Sequence, residues 1–247
     1  MALHSDSVVK GKELITLEYQ GGFGNKLWQY AVGRLLAENL GLLFVSKGIP
    51  GLQNCPKYIP GKIKMTKRIE LQGHFLPDSL APRRIHLNGY FERYENISPY
   101  IEKISKWYQP KMKNMEIDSS ALTVSIRRGS NNWPVETHCP DKEYYLEKIG
   151  QLGFSKHYLC TDSPDDPFIQ EIVKEIPSCT LIRSGVLSQF NFLQNSTNIF
   201  LAPSTFSWWA AMTGKAEQIF WPQIPALDFT NTNHDWFPKG NNKLVLV

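Results

Sequence analysis

The stretch LITLEYQGGFGN, residues 14–25, joins an apolar segment to a helical one through three glycines. Leu14 to Tyr19 is short and apolar, which is typical of a buried strand. From Asn25 onward apolar residues recur every three or four positions, which predicts a helix that ends at Gly41. A strand that turns on glycines into a helix directs backbone N–H groups and the positive end of the helix dipole at one point. A phosphate or another anion can bind there.

Two common phosphate-binding motifs do not fit these glycines. A P-loop ends in Gly-Lys followed by Ser or Thr, whereas Lys26 is followed by Leu27. The dinucleotide-binding fingerprint needs a small residue at position 27, which is the same leucine. An ordinary tight turn between strand and helix is therefore the alternative interpretation of the loop.

The composition is that of an ordinary globular protein. The chain has 247 residues, of which 42% are hydrophobic and 20% charged, enough for one large domain or two small ones. The net charge of +4 comes from dispersed basic residues, which argues against nucleic-acid binding and suits a small anionic ligand. The four cysteines lack metal-ligand spacing, so we expect reduced thiols without a zinc site or a disulfide framework. Without a signal-peptide pattern or a run of about 18 apolar residues, the sequence predicts a cytoplasmic protein with no membrane span.

Strands and helices alternate strictly in the second half of the chain. The predicted strands are 121–126, 157–161, 180–182, 198–202 and 218–221, and the predicted helices are 142–150, 166–174, 186–194 and 204–213. This alternation predicts an α/β fold with a parallel sheet covered by helices on both faces. The first half opens the same way, loses its pattern in a loop-like stretch from Pro50 to Lys67, and regains a helix at 97–107. We therefore predict two Rossmann-like lobes, residues 1–110 and 111–247, with a cleft between them.

Two arginines follow the first strand of the second half. Ligands of parallel sheets bind beyond the carboxyl ends of the strands, where Arg127 and Arg128 fall. Guanidinium groups bind phosphate through paired, charge-assisted hydrogen bonds. Because side chains alternate along a strand, we predict Arg127 for the ligand and Arg128 for bracing the loop or for a second phosphate contact. The alternative is a surface salt-bridge pair at a strand end.

Polar side chains follow two further strands of this half. The segment that opens the last predicted helix consists of Ser204, Thr205, Phe206 and Ser207. Hydroxyls at a helix start either cap it or join the backbone N–H groups in holding a phosphate. Asp162 directly follows the strand HYLCT. A carboxylate there can bind a base edge or a ribose hydroxyl, or can form an N-cap or Asx turn near Pro164.

Taken together, these motifs resemble glycosyltransferase family 11, the α-1,2-fucosyltransferases. The matches occur in the family's order and span most of the chain. They are Gly21 to Asn25, Gln29-Tyr30-Ala31, Gly89-Tyr90-Phe91, Ile126 to Gly129, Tyr144-Tyr145 and Ser204 to Trp209. A single match would be weak, whereas the ordered set is specific.

The resemblance implies a two-lobed GT-B fold with a donor cleft, GDP-fucose as the donor, an oligosaccharide as the acceptor, inversion at the anomeric carbon and no metal cofactor. The leaving β-phosphate is then neutralised by Arg127, helped by Arg128 and by the hydroxyls of Ser204, Thr205 and Ser207. Asp162 takes the guanine or the ribose. On the other lobe the resemblance implies donor contacts from Gly22, Gly24 and Asn25.

The chain departs from the family pattern beside the arginines, where Ser125 and Ser130 replace the usual His and Asp. Altered bracing of the loop, a different donor or lost activity would each account for these serines. No residue stands out as the general base, for which the candidates are Glu136, His138 and Glu18. The competing hypotheses are the same fold acting with another acceptor or nucleotide sugar, and a non-catalytic glycan- or nucleotide-binding module.

Overall fold

The computed structural model describes residues 13–60, 68–72, 84–113, 115–129, 139–223, 235–236 and 240–247. These residues form two compact units. The first runs to Tyr100 and includes Asp235 and Trp236, and the second begins at Ile101 and includes the remainder. The sequence predicted a boundary after residue 110, whereas the first unit ends at Tyr100, ten residues earlier.

A five-stranded sheet forms the centre of the first unit. Its strands are β1 (Leu14–Leu17), β2 (Leu43–Val45), β3 (Tyr58–Ile59), β4 (Arg68–Gln72) and β5 (Arg84–Asn88). They lie in the order β3-β2-β1-β5-β4, and each pair is parallel except β2 with β3. The predicted loop from Pro50 to Lys67 is thus wrong at Tyr58–Ile59, where two residues pair with β2.

The helix predicted after the glycines is present as α1 (Phe23–Leu40). It ends as expected at Gly41, whose φ of 67° is the left-handed conformation that glycine adopts without strain. Inside the helix, a Cβ on Gly33 would lie 2.8 Å from Cε2 of Phe44 in β2. A glycine at this position therefore lets α1 approach the sheet closely. A helix was predicted over residues 97–107. The structure has 3-10 turns at Tyr94–Asn96 and Ser98–Tyr100, followed by the shorter helix α2 (Ile101–Trp107).

The second unit is built on a six-stranded sheet whose strands are all parallel. They are β6 (Leu122–Ile126), β7 (His157–Thr161), β8 (Cys179–Ile182), β9 (Asn198–Phe200), β10 (Gln218–Trp221) and β11 (Leu244–Leu246). Its further helices are α3 (Lys142–Gln151), α4 (Pro167–Glu175), α5 (Val186–Asn195) and α6 (Thr205–Thr213). The predicted alternation from β6 to β10 is confirmed, and each predicted element ends within two residues of the observed one. The strand predicted at 218–221 was expected to be the last, so β11 was not predicted.

The strand order of this sheet is β11-β10-β9-β6-β7-β8. The chain starts in the middle at β6, adds β7 and β8 on one side, and returns to add β9, β10 and β11 on the other. This is the Rossmann order 3-2-1-4-5-6, and the order reverses between β6 and β9. Ligands of such sheets bind beyond the carboxyl ends of the strands at this reversal.

Candidate functional site

The arginine loop starts at the carboxyl end of β6, next to the reversal point. Asp162, which follows β7, holds this loop through its backbone: Oδ1 accepts hydrogen bonds from the N–H of Arg128 (2.9 Å) and of Gly129 (3.3 Å). The neighbouring strands β6 and β7 pair from Leu122 to Ile126, which brings the two loops together. The acidic side chain therefore fixes the path of the chain directly after Arg127.

Arg127 itself is half-buried beside Asp162. Burial lowers the pKa of the Arg127 guanidinium, while the negative charge of Asp162 raises it. Because an arginine pKa starts so high, the side chain stays a cation throughout the physiological range. A partly desolvated cation at this point interacts more strongly with an anion than a fully hydrated one would.

Arg128 is engaged in contacts within its own unit. Its Nε donates to Oδ2 of Asp166 (3.1 Å), and its guanidinium lies 4.1 Å from the centre of the Phe168 ring. Partial burial lowers the pKa of Arg128, but hydrogen bonds to Cys139 and Asp166 outweigh that effect and raise it. Both Asp166 and Phe168 belong to the start of α4, so these contacts tie the arginine loop to that helix. Of the two predicted roles of Arg128, bracing is the one its described contacts support.

The segment predicted to open the last helix does so, after β9. Ser204 is the N-cap of α6, and its hydroxyl oxygen accepts a hydrogen bond from the N–H of Phe206 (3.2 Å). Ser207 is fully buried, and its hydroxyl lies 3.1 Å from the carbonyl oxygen of Ala202 and 3.2 Å from that of Ser204. These hydroxyls thus bond the backbone of their own turn, and a phosphate contact through them stays a prediction.

The other two members of this segment have different surroundings. Thr205 is buried in the first turn of α6, and the ring of Phe206 packs 5.6 Å from that of Phe190 in α5. Since β9 and β7 flank β6, the residues Arg127, Asp162 and Ser204 lie at the carboxyl ends of three adjacent strands. Strand order therefore places these three residues along the same end of the sheet.

The glycine-rich loop belongs to the first unit. Gly21 has a φ of +67°, and a Cβ on it would lie 3.0 Å from Cγ of Asn25 and 3.1 Å from Cε1 of Tyr90. Gly22 is the N-cap of α1, is exposed and has an ordinary extended φ of −78°. A Cβ on Gly22 would meet only Oδ1 of Asn25, at 3.9 Å, among the described residues. Backbone geometry therefore requires glycine at position 21, whereas local packing does not require it at 22.

A buried amide side chain fixes the entry to this loop. Oε1 of Gln29 accepts from the backbone N–H of Gln20 (3.0 Å), and its Nε2 donates to the carbonyl oxygen of Gln20 (3.3 Å). Gln29 is fully buried in α1, and Gly24 is buried in the first turn of the same helix. Through Gln29, helix α1 thus bonds both the N–H and the carbonyl oxygen of Gln20, the residue that precedes the glycines.

Gly21→Ala is expected to lower the free energy of unfolding by about 1–2 kcal/mol, because alanine is strained in the left-handed region and its methyl group would crowd Asn25 and Tyr90. Gly22→Ser is the matched control, since it places a good capping residue at ordinary backbone angles, with a Cβ that makes no close contact with the described residues. Chemical denaturation of both variants measures the difference. Equal stability of the two variants would contradict this reading of the loop.

The general-base candidates divide between described and undescribed residues. The candidates Glu136 and His138 lie outside the described residues. Of the two serines that depart from the family pattern, Ser130 also lies outside them, and Ser125 is buried in β6. Glu18 follows β1 with 64% of its side chain exposed, and its Oε2 lies 3.6 Å from Nε2 of His86 in β5. Sequence analysis missed His86, although the alternation in Arg84–Asn88 could have identified its strand.

Within the described ranges, no helix is both long enough and apolar enough to cross a bilayer. The same residues contain no group of three or more His, Cys, Asp or Glu side chains that could hold a metal ion.

The comparisons with known proteins concern the fold. No protein-family model matches the chain, and no curated protein matches it. Among solved structures, the fucosyltransferase NodZ from Bradyrhizobium matches with a TM-score of 0.50 at 14% identity, over 84% of this chain and 94% of that one. FUT1 from Arabidopsis thaliana, solved in complex with GDP, matches with a TM-score of 0.53 at 10% identity, over 88% of this chain and 72% of that one.

A further match is NodZ α-1,6-fucosyltransferase soaked with GDP-fucose, with a TM-score of 0.50 at 13% identity, over 84% of this chain and 94% of that one. At these identities the likeness is one of fold. The α/β, GT-B-like fold class expected from the sequence is confirmed, and it is a fold shared with fucosyltransferases. The predicted donor cleft stays a prediction.

Proposed function

We propose that this chain is an inverting, metal-independent fucosyltransferase that uses GDP-fucose. The observation that carries the proposal is the half-buried cation Arg127 at the reversal point of a Rossmann-ordered sheet, in a fold shared with fucosyltransferases. Structural relatives solved with GDP or GDP-fucose support the choice of donor. The sheet alone would suit any nucleotide, so the proposal of a fucose donor draws its support from the fold comparison.

Transfer requires that the bond between fucose C1 and the β-phosphate oxygen breaks while an acceptor hydroxyl attacks C1 from the opposite face. The leaving GDP gains negative charge, which Arg127 is positioned to neutralise with paired hydrogen bonds. The sequence contains no Asp-x-Asp pair of the kind that holds a cation on a diphosphate, which supports neutralisation by protein groups. In this proposal Arg128 and Asp162 keep the arginine loop in place. Direct contact of Asp162 with guanine or ribose is the alternative role of its carboxylate.

The sequence motifs support a more specific proposal for the acceptor sugar and its reacting hydroxyl. Their ordered resemblance to glycosyltransferase family 11 supports a galactoside acceptor and transfer to its O2 hydroxyl. In the same resemblance, Gly22, Gly24 and Asn25 contact the donor. A Cβ on Gly22 would meet only Oδ1 of Asn25 among the described residues, so their packing gives no other reason for a glycine and supports a backbone approach there.

The purified chain, assayed in EDTA with a panel of nucleotide sugars, is expected to release GDP from GDP-fucose and to do so faster when simple galactosides are added. NMR of the product identifies the linked hydroxyl and the anomeric configuration. Turnover of a different nucleotide sugar would keep the fold argument and overturn the donor. Binding of GDP without any turnover would instead favour a non-catalytic nucleotide-binding module.

A further inference from the structure

We propose that Glu18 is the general base that accepts the acceptor's proton, and that His86, held by Thr16, is the residue that positions it. This inference rests on the proposed function and concerns residues of the first unit alone. It adds to the sequence prediction a partner, His86, and a chain of contacts that selects Glu18 on structural grounds.

The three side chains lie on one face of the sheet at adjacent positions. Thr16 and His86 are direct partners in the parallel pair β1–β5, and Glu18 follows Thr16 by two residues. The backbone N–H of Glu18 continues the pairing by donating to the carbonyl oxygen of Leu87 (3.0 Å). Side chains two residues apart on a strand point to the same side, so the pairing itself aligns these groups.

The contacts of Thr16 bear on where the imidazole hydrogens lie, since its hydroxyl can donate to His86 or to the carbonyl oxygen of Ile85. Oγ1 of Thr16 is 2.9 Å from Nδ1 of His86, whereas its distance to the carbonyl oxygen of Ile85 is 3.4 Å. A threonine hydroxyl has one hydrogen, and the shorter contact is the stronger one. Donation from Thr16 to Nδ1 puts the hydrogen of a neutral imidazole on Nε2, and a charged imidazolium carries a hydrogen there as well.

When Thr16 donates to Nδ1, the hydrogen on Nε2 faces the carboxylate of Glu18. Oε2 of Glu18 is 3.6 Å from Nε2, which is an electrostatic contact slightly longer than a hydrogen bond. The imidazole is mostly enclosed, with 17% of its side chain exposed, whereas Glu18 is 64% exposed. An anchored imidazole thus restrains one oxygen of a carboxylate that is otherwise open to a substrate.

The proposed step balances with groups already named. As the acceptor oxygen attacks C1 of fucose, its O–H bond breaks and the proton passes to the Glu18 carboxylate. The C1–O bond to the β-phosphate breaks, and GDP leaves with that electron pair. No oxidant, reductant or further reactant is needed, and the protonated Glu18 returns its proton to solvent.

Glu18→Gln is expected to lower kcat for transfer by about 10²–10⁴-fold, the usual contribution of a positioned base. GDP affinity, measured by calorimetry, should stay that of the unmodified chain. Glu95→Gln is the matched control, since Glu95 is 63% exposed and has its own partner, Arg93. Glu18→Ala should regain activity when formate is added, because formate can take the proton in the vacated space.

The His86 variants test positioning separately. His86→Gln keeps an N–H donor that reaches toward Glu18, whereas His86→Asn can replace only the nearer contact with Thr16. We expect His86→Asn to lower kcat by about 10–10²-fold with an unchanged KM for GDP-fucose, and His86→Gln to restore most of that loss.

Three outcomes separate the two proposals. If the unmodified chain neither binds GDP nor turns over GDP-fucose, the proposed function fails. If it transfers fucose and Glu18→Gln does so at the same rate, the function stands and Glu18 is not the base. Equal activity of His86→Asn and His86→Gln would overturn the positioning role of His86.

Discussion

Arg127→Ala is expected to lower the rate of GDP release from GDP-fucose by about 10²–10³-fold, the usual cost of removing one fixed group that stabilises charge in the transition state. The half-buried guanidinium lies at the carboxyl end of β6, where the strand order reverses. In the alanine variant, water can replace the guanidinium only in part, because water must reorganise around the charge that develops on the leaving phosphate. Steady-state assays with saturating acceptor measure the effect on kcat.

Arg127→Lys separates charge from geometry, since lysine keeps the cation and loses the planar pair of donors. We expect the kcat of Arg127→Lys to lie between that of the unmodified chain and that of Arg127→Ala. Lys156→Ala is the control for charge. Lys156 directly precedes β7, at the amino ends of the strands and thus away from Arg127, and it pairs there with Asp118. Near-normal turnover by Arg127→Ala, or an equal loss in Lys156→Ala, would contradict the assignment of the phosphate to Arg127.

The second unit could be predicted closely because its local signals agree. Its central strand is buried from Leu122 to Ile126, and its apolar residues recur at every second position, the period of a strand. Two of its helices, α3 and α4, begin at aspartates that cap them: Asp141 accepts from the N–H of Tyr144, and Asp166 accepts from that of Phe168. Patterns of burial and capping within a few residues therefore fixed most element boundaries.

The first unit was harder to predict for two physical reasons. The pair β2–β3 depends on only two residues of β3, too few for a period to be visible. In contrast, β4 (RIELQ) and β5 (RIHLN) both alternate apolar and polar residues, a pattern that predicts half-buried strands and that sequence analysis overlooked. The register that joins β4 to β5 is a tertiary property that no local pattern contains.

The roles of individual site residues follow from contacts that are distant in sequence. Asp162 and the N–H of Arg128 are 34 positions apart, and His86 lies 70 positions from Thr16. Motif spacing could identify Asp162 as a polar residue at a strand end, but only the pairing of β6 with β7 brings its carboxylate to the arginine loop. The sequence thus predicted where polar groups gather, and the pairing of strands determines what they bond.

Asp162→Ala is expected to lower kcat by about 10–10²-fold, because it removes the acceptor for the N–H groups of Arg128 and Gly129 and lets the loop that carries Arg127 move. The loss of stability should be smaller, about 1–2 kcal/mol, since water can bond these exposed N–H groups in the folded protein. Asp162→Asn keeps the oxygen acceptor and removes the charge, so it should be more stable than Asp162→Ala.

Two ligands distinguish a positioning role of Asp162 from direct contact with the nucleoside. If Asp162 acts through Arg127, then Asp162→Ala weakens the binding of inorganic pyrophosphate and of GDP by the same factor, because both ligands offer the diphosphate that Arg127 binds. If its carboxylate bonds guanine or ribose, the affinity for GDP falls and that for pyrophosphate does not. We expect the first result, since Oδ1 already accepts two backbone hydrogen bonds. Calorimetric titration of the two ligands into both proteins decides between them.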